Sequence, residues 1–153
     1  MRFSLDTSGI LDAWVRHYPP DVFPSIWVKM DESAKRNDIV VVEEVVQELK
    51  RKDDEIFKWV KDRGTMIVPI DGNMQARVAQ IMTKYGRLVD TRKNRSGCDP
   101  WVIALASAQG LTVVTGEKAS GNLRKPKIPD VCNDLGVPCI GIVDFFRKQG
   151  WRV

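Results

Sequence analysis

Leu111-Thr112-Val113-Val114-Thr115-Gly116-Glu117 is a short β-branched run closed by a glycine and an acid, and a longer apolar stretch, Trp101-Val102-Ile103-Ala104-Leu105-Ala106, precedes it. Asp99-Pro100 opens that longer stretch, and proline after an acidic residue is a normal way to start a helix. Leu111 to Val114 is too short for a helix and reads as a buried strand. A buried helix over Pro100 to Gln109, then a strand, then a turn carrying an acid is one repeat of an α/β pattern.

The same alternation continues outward in both directions. Phe3 to Leu5 reads as a strand, ended by Asp6-Thr7-Ser8, and a helix is expected from Gly9 with Ile10, Leu11, Trp14 and Val15 at helical spacing. After Pro19-Pro20, Val22 to Arg36 reads as a second helix. Ile39 to Val42 is a brief buried strand and Glu43 to Arg51 a helix. Asp53-Asp54 opens a further helix that stops at Gly64. Met66 to Val68 reads as a strand and Asp71 to Tyr85 as an amphipathic helix. Arg87 to Gly97 is polar and expected to be exposed. Beyond Glu117 lies a basic loop to Lys127, then a short helix (Ile128 to Leu135), a strand (Pro138 to Ile142) and a closing helix (Val143 to Gln149). Short β-branched runs alternating with helices predict an α/β fold whose central, mostly parallel sheet is covered on both faces.

With 153 residues, 43% apolar and 29% charged, the chain has the size and composition of one domain, expected to span 1–153. No apolar run approaches the roughly 20 residues of a membrane span, and Asp6 interrupts the start where a signal peptide would need an apolar core. Cys98, Cys132 and Cys139 include no CxxC, which suits a reducing cytoplasm and argues against a disulfide framework or a zinc cluster. The one histidine, His17, makes histidine-dependent chemistry a poor expectation, so chemistry here rests on carboxylates. The net charge of +4 permits a polyanionic partner. Its basic runs are Lys50-Arg51-Lys52, Arg92-Lys93 with Arg95, and the loop residues Lys118, Arg124, Lys125 and Lys127. Each alone reads as a solvated surface; together they lean toward phosphate contacts.

Ligands in open α/β sheets bind outside the C-terminal ends of strands. Asp6 and Glu117 both stand immediately past such ends. Asp6, Thr7 and Ser8 are more capping residues than one helix needs. Thr115-Gly116 tightens the turn before Glu117 and admits a ligand. Asp99 is explained as a helix cap, yet the helix it opens is apolar enough to be buried beside those strand ends. Glu44 and Glu48 share a helix face; a solvated face is the default, but the apolar run before them suits one of the two to a crevice. Crowded carboxylates repel one another unless a cation compensates. Mg²⁺ and Mn²⁺ favour such oxygens, and ions of this kind activate water and stabilise the leaving oxygen of a phosphodiester. Acids holding metal inside a basic rim form a coherent phosphodiesterase.

Phe3-Ser4-Leu5-Asp6-Thr7-Ser8, Glu48-Leu49, Asp99-Pro100 with its apolar helix, and Val113-Val114-Thr115-Gly116-Glu117 resemble, in order, the four motifs of PIN domains. Their spacing is similar to VapC-type toxin ribonucleases. Asp99-Pro100-Trp101, Ile128-Pro129-Asp130-Val131-Cys132 and the Phe145-Phe146…Gly150-Trp151 ending resemble a PIN-like subfamily of bacterial and archaeal proteins. The resemblance implies a three-layer α/β/α sandwich and an acidic pocket for Mg²⁺ or Mn²⁺ formed by Asp6, Glu48, Asp99 and Glu117. Thr7, Ser8 and Thr115 would hydrogen-bond to those acids. It further implies cytoplasmic RNA hydrolysis, with Lys50, Arg51, Arg92, Lys93, Arg95, Lys118, Arg124, Lys125 and Lys127 as RNA contacts. A small antitoxin protein is the implied partner, and homodimerisation is left open. The sequence departs from many such toxins in having Glu117 where they carry aspartate or asparagine, and in the extra helix between Asp53 and Tyr85.

Other readings fare less well. A haloacid-dehalogenase phosphatase needs an aspartate two residues after Asp6, where Ser8 stands, and a GxxxxGK[ST] loop is absent. The remaining alternative is a non-catalytic PIN-like module that binds RNA or protein. Trp14, Trp27, Trp59 and Trp101 sit at core spacing, leaving Trp151 as the tryptophan best placed to stack on bases. Cys98 beside Asp99 reads as a buried, inert thiol.

Overall fold

The structure, a computed structural model, describes residues 1–89 and 97–152. Five short strands form one sheet: β1 (Phe3–Leu5), β2 (Ile39–Val42), β3 (Ile67–Val68), β4 (Thr112–Val114) and β5 (Cys139–Ile140). They lie in the order β3-β2-β1-β4-β5 and every pairing is parallel. β1, β2 and β4 are buried along their whole lengths, as strands covered on both faces must be.

Among the described residues, eight α-helices accompany the sheet: α1 (Thr7–Leu11), α2 (Pro24–Lys35), α3 (Glu43–Lys52), α4 (Asp54–Lys61), α5 (Gly72–Lys84), α6 (Asp99–Gln109), α7 (Ile128–Leu135) and α8 (Ile142–Gln149). α6 packs against β1, β2 and β4, α2 and α3 against β2, and α7 against β5. Val102, Ile103, Ala104, Leu105 and Ala106 of α6 are all buried, each large apolar side chain contributing about 1.5–3 kcal/mol. Small residues in that run let the helix lie close to the strands. This is the three-layer α/β/α arrangement with a parallel sheet that the sequence predicts.

From β1 in the middle of the sheet the chain moves outward through β2 and β3, then crosses back to place β4 on the other side of β1. That reversal opens a crevice between the C-terminal ends of β1 and β4, the usual ligand position in such sheets. The register pairs Leu5 with Val114, so Asp6 and Thr115 leave the two strands side by side.

Several expectations need correction. α1 begins at Thr7 rather than Gly9 and passes into a π-helical turn over Asp12–His17. Asp99 is not the cap of α6 but its first residue, with Cys98 before it. Met66 belongs to a 3-10 turn and Pro138 precedes β5, because each edge strand pairs through two residues only. Leu88, in a stretch read as exposed, is fully buried. Trp151 is half-buried and packs on Phe145 and Phe146 at the edge of the core. Trp14, Trp27 and Trp59 pack against one another edge to face or tilted, in keeping with the packing role expected of them. Arg92, Lys93 and Arg95 lie outside the described residues. No helix among the described residues is long and apolar enough to cross a membrane.

Candidate metal centre

Asp6 caps α1 as it leaves β1, its Oδ1 accepting from Thr7 N at 2.8 Å. Its Oδ2 accepts from Ser8 Oγ at 2.6 Å and from Thr115 Oγ1 at 2.8 Å. Ser8 Oγ in turn accepts from Gly116 N at 3.0 Å. The carboxylate is thus fixed by α1 on one side and by the end of β4 on the other. Two glycines allow this closeness. A side chain at Gly9 would bring Cβ to 2.9 Å from the Val114 carbonyl, and one at Gly116 would collide with the Asp12 carboxylate. Gly116 therefore makes room for Asp12, and it also lines the cleft.

Asp6 is buried, only 2% exposed. Burial pushes its carboxyl up to about 6; the Ser8 and Thr115 hydroxyls pull against that push, and the charges of Glu117 and Glu48 add to it. Ligand atoms of Asp6, Cys98 and Asp99, all buried, lie within 4.8 Å of one another, a spacing that suits one metal ion. The hard oxygens of the two aspartates fit a divalent cation of the Mg²⁺ or Mn²⁺ kind.

Glu48 reaches the same place from α3. Its Oε2 accepts from Thr7 Oγ1 at 2.9 Å and from the Cys98 thiol at 2.8 Å, and its Oε1 lies 2.8 Å from Lys52 Nζ. Glu44, one turn earlier, is half-buried and does not line the cleft, while Glu43 accepts from Ile70 N at the end of β3. Glu117 lines the cleft, with its Oε2 accepting from Ile128 N, the first N–H of α7, at 3.0 Å. The structure therefore gathers Asp6, Asp99 and Glu48 around the Cys98 thiol and sets Glu117 on the adjoining wall.

The cleft has a volume of about 690 Å³ and, among the described residues, is bordered by six acids (Asp6, Asp12, Glu48, Asp53, Asp99, Glu117) and three cations (Arg16, Lys52, Lys127). Lys118 lies in a neighbouring hollow that shares Asp12, Gly116 and Glu117 with the first. Lys50, Arg51, Arg124 and Lys125 are exposed and do not line the cleft. The loop carrying Lys118, Arg124, Lys125 and Lys127 is tied to Asp130, which accepts from Ser120 N, Ser120 Oγ, Gly121 N and Lys127 N at 2.8–3.0 Å. Burial would raise the Asp130 carboxyl, but the backbone N–H groups of Ser120, Lys127 and Gly121 and the Ser120 hydroxyl outweigh it and hold it at about 2.

Asp12 and Cys98 escape a sequence reading. Asp12 follows Asp6 by six residues, about 240° round an ideal helix, so helical spacing gives no sign that both face one cleft. Cys98 reads as inert, and its place among the carboxylates comes from tertiary packing. Lys52 did leave a signal: within its basic run it is the residue four places after Glu48.

The arrangement matches known folds over nearly its whole length. A chain of VapBC2 from Rickettsia felis, solved bound to a DNA fragment from their promoter, superposes with a TM-score of 0.58 at 17% identity, covering 92% of this chain and 98% of that one. FitAcB from Neisseria gonorrhoeae gives 0.53 at 17% identity, covering 90% and 96%. FitAB bound to an IR36 DNA fragment gives 0.55 at 16% identity, covering 92% and 94%. At such identities the likeness speaks for the fold, and the fold is the PIN-like one that the four motifs resemble. Among curated proteins, none matches the chain in sequence. The chain belongs to the family described as Domain of unknown function (DUF4411), whose model matches residues 3–153.

Proposed function

We propose that this chain is a single PIN-like domain over residues 1–153 that hydrolyses RNA phosphodiester bonds in the cytoplasm with Mg²⁺ or Mn²⁺, as the toxin of a toxin–antitoxin pair. The observation that carries the reading is the buried group of Asp6, Asp99 and Cys98 at the strand-end crevice, with ligand atoms within 4.8 Å. Burial raises the Asp6 carboxyl and the charges of Glu117 and Glu48 add to that, a cost that a bound cation would offset.

Asp6, Asp99 and Glu48 would hold the ion, with Glu117 completing the acidic wall. When bound, such an ion supplies Lewis-acid stabilisation of the charge that develops on the phosphodiester oxygens. Ser8 and Thr115 orient Asp6 and favour its charged form, and Thr7 does the same for Glu48. Lys127 at the cleft edge and Lys118, Arg124 and Lys125 on the adjoining loop meet the phosphates of the RNA, with Lys50 and Arg51 further out on α3. The likeness to a chain of VapBC2, together with the resemblance to VapC-type toxins, supports a small protein antitoxin. An arginine of that partner is the side chain best suited to occupy the acidic cleft.

The test is cleavage of single-stranded RNA by the purified chain. Cleavage that needs Mn²⁺ or Mg²⁺, stops in EDTA and is lost in a folded Asp6→Asn variant supports the reading. Equal cleavage by Asp6→Asn and wild type, or full activity in EDTA, sinks it.

A further inference from the structure

Lys52, at the end of α3, borders the cleft, whereas its neighbours Lys50 and Arg51 do not. Its ammonium lies 2.8 Å from Glu48 Oε1. The two oxygens of Glu48 have different company. Oε2 faces inward and accepts from Thr7 and Cys98, both buried. Oε1 faces a lysine whose side chain is 51% exposed while that of Glu48 is 5% exposed. Of these partners, Lys52 is the one on a flexible stem with solvent around it.

Resting on the metal-ribonuclease reading above, we propose that Lys52 is a substrate-binding residue that serves two anions in turn: Glu48 in the metal-free chain, and a phosphate of the RNA once a divalent cation has taken Glu48. A dication and an ammonium sharing one carboxylate repel each other. Thr7 and Cys98 are walled in, so the repulsion is relieved at least cost by the lysine swinging outward. That movement delivers a positive charge to the mouth of a cleft whose border, among the described residues, carries six acids and three cations, a balance that by itself disfavours a polyanion. Metal occupancy and RNA affinity are thereby coupled through one side chain.

The proposal makes effects of opposite sign. Lys52→Gln removes a competitor for Glu48 and should tighten Mn²⁺ binding about three- to tenfold, while weakening RNA binding by a similar factor. A lysine that merely braced Glu48 would, on removal, weaken both. Mn²⁺ affinity is read by electron paramagnetic resonance on the RNA-free chain. RNA affinity is read by fluorescence anisotropy with a short single-stranded RNA and Ca²⁺ in place of Mn²⁺. Lys35→Gln, which removes one exposed cation from α2 outside the cleft, corrects for net charge, and Lys52→Arg should keep most of the RNA affinity. The proposal is overturned if Lys52→Gln leaves Mn²⁺ affinity unchanged or lowers it, or if its RNA affinity equals that of Lys35→Gln. A wild-type chain that binds no Mn²⁺ overturns the metal-ribonuclease reading instead, and this inference with it.

Discussion

Thr115 Oγ1 donates to Asp6 Oδ2 at 2.8 Å, so the ends of β4 and β1 are joined by their side chains as well as by the sheet. This bond favours the ionised carboxylate, and a hydrogen bond to a charged group contributes about 1.5–3 kcal/mol. Thr115→Val should therefore raise the Asp6 carboxyl further. The pH midpoint of Mn²⁺ binding should move upward by about one unit, with a small loss of thermal stability. A midpoint that stays in place would show that Thr115 does not bias the charge of Asp6.

Asp6 itself sets a pH dependence in the wild type. Its folded-state value, about 6, lies above the ordinary 3.8. A carboxyl raised in this way stabilises the folded chain while protonated, and that contribution fades as pH rises through about 6. The metal-free chain should lose about 2–3 kcal/mol between pH 4 and pH 7 from this group. Mn²⁺ needs the ionised form, so its affinity should fall about tenfold per unit below pH 6 and level off above it. Chemical denaturation with and without Mn²⁺ across this range measures both slopes, and parallel curves would contradict the assignment.

Asp130 responds with the opposite sign. Held at about 2 against an ordinary 3.8, it contributes stability that is complete above pH 4 and is lost as pH falls toward 2. Asp130→Asn should cost about 2 kcal/mol at neutral pH and bring protease cleavage into residues 118–127. The stabilities of wild type and variant should converge near pH 2.

Glu48 and Glu44 stand one helical turn apart in different surroundings. Glu48→Gln should abolish RNA cleavage and weaken Mn²⁺ binding at least tenfold, about 1.4 kcal/mol or more. Glu44→Gln should change either by no more than about twofold. The reverse order would move the metal-facing position of α3 back by a turn.

Much of this architecture was legible in the chain. Ile39 to Val42 and Thr112 to Val114 are β-branched throughout and became buried parallel strands; Asp99-Pro100 marked the start of α6 to within a residue. Asp6 stood out because three polar residues follow a strand where one cap would serve. What stayed hidden depends on contacts between distant parts. β3 and β5 each shrink to two paired residues because their lengths are set by neighbours. The π-helical turn that carries Asp12 toward Gly116 is hidden because Ile10, Leu11, Trp14 and Val15 read as ordinary helical spacing. Burial of Leu88 follows from what packs over it, which local polarity does not report.

The order β3-β2-β1-β4-β5 also bears on synthesis. Asp6 and Thr115, its partner at the end of β4, lie 109 positions apart, so Asp6 leaves the ribosome well before that partner. Until β4 has been made and inserted beside β1, Asp6 lacks one of its three donors, Asp99 has no sheet to pack α6 against in full, and the Glu117 wall does not exist. A growing chain therefore carries Asp6 and Glu48 unassembled until β4 and the residues that follow it have been made, and only then does the cleft close into shape.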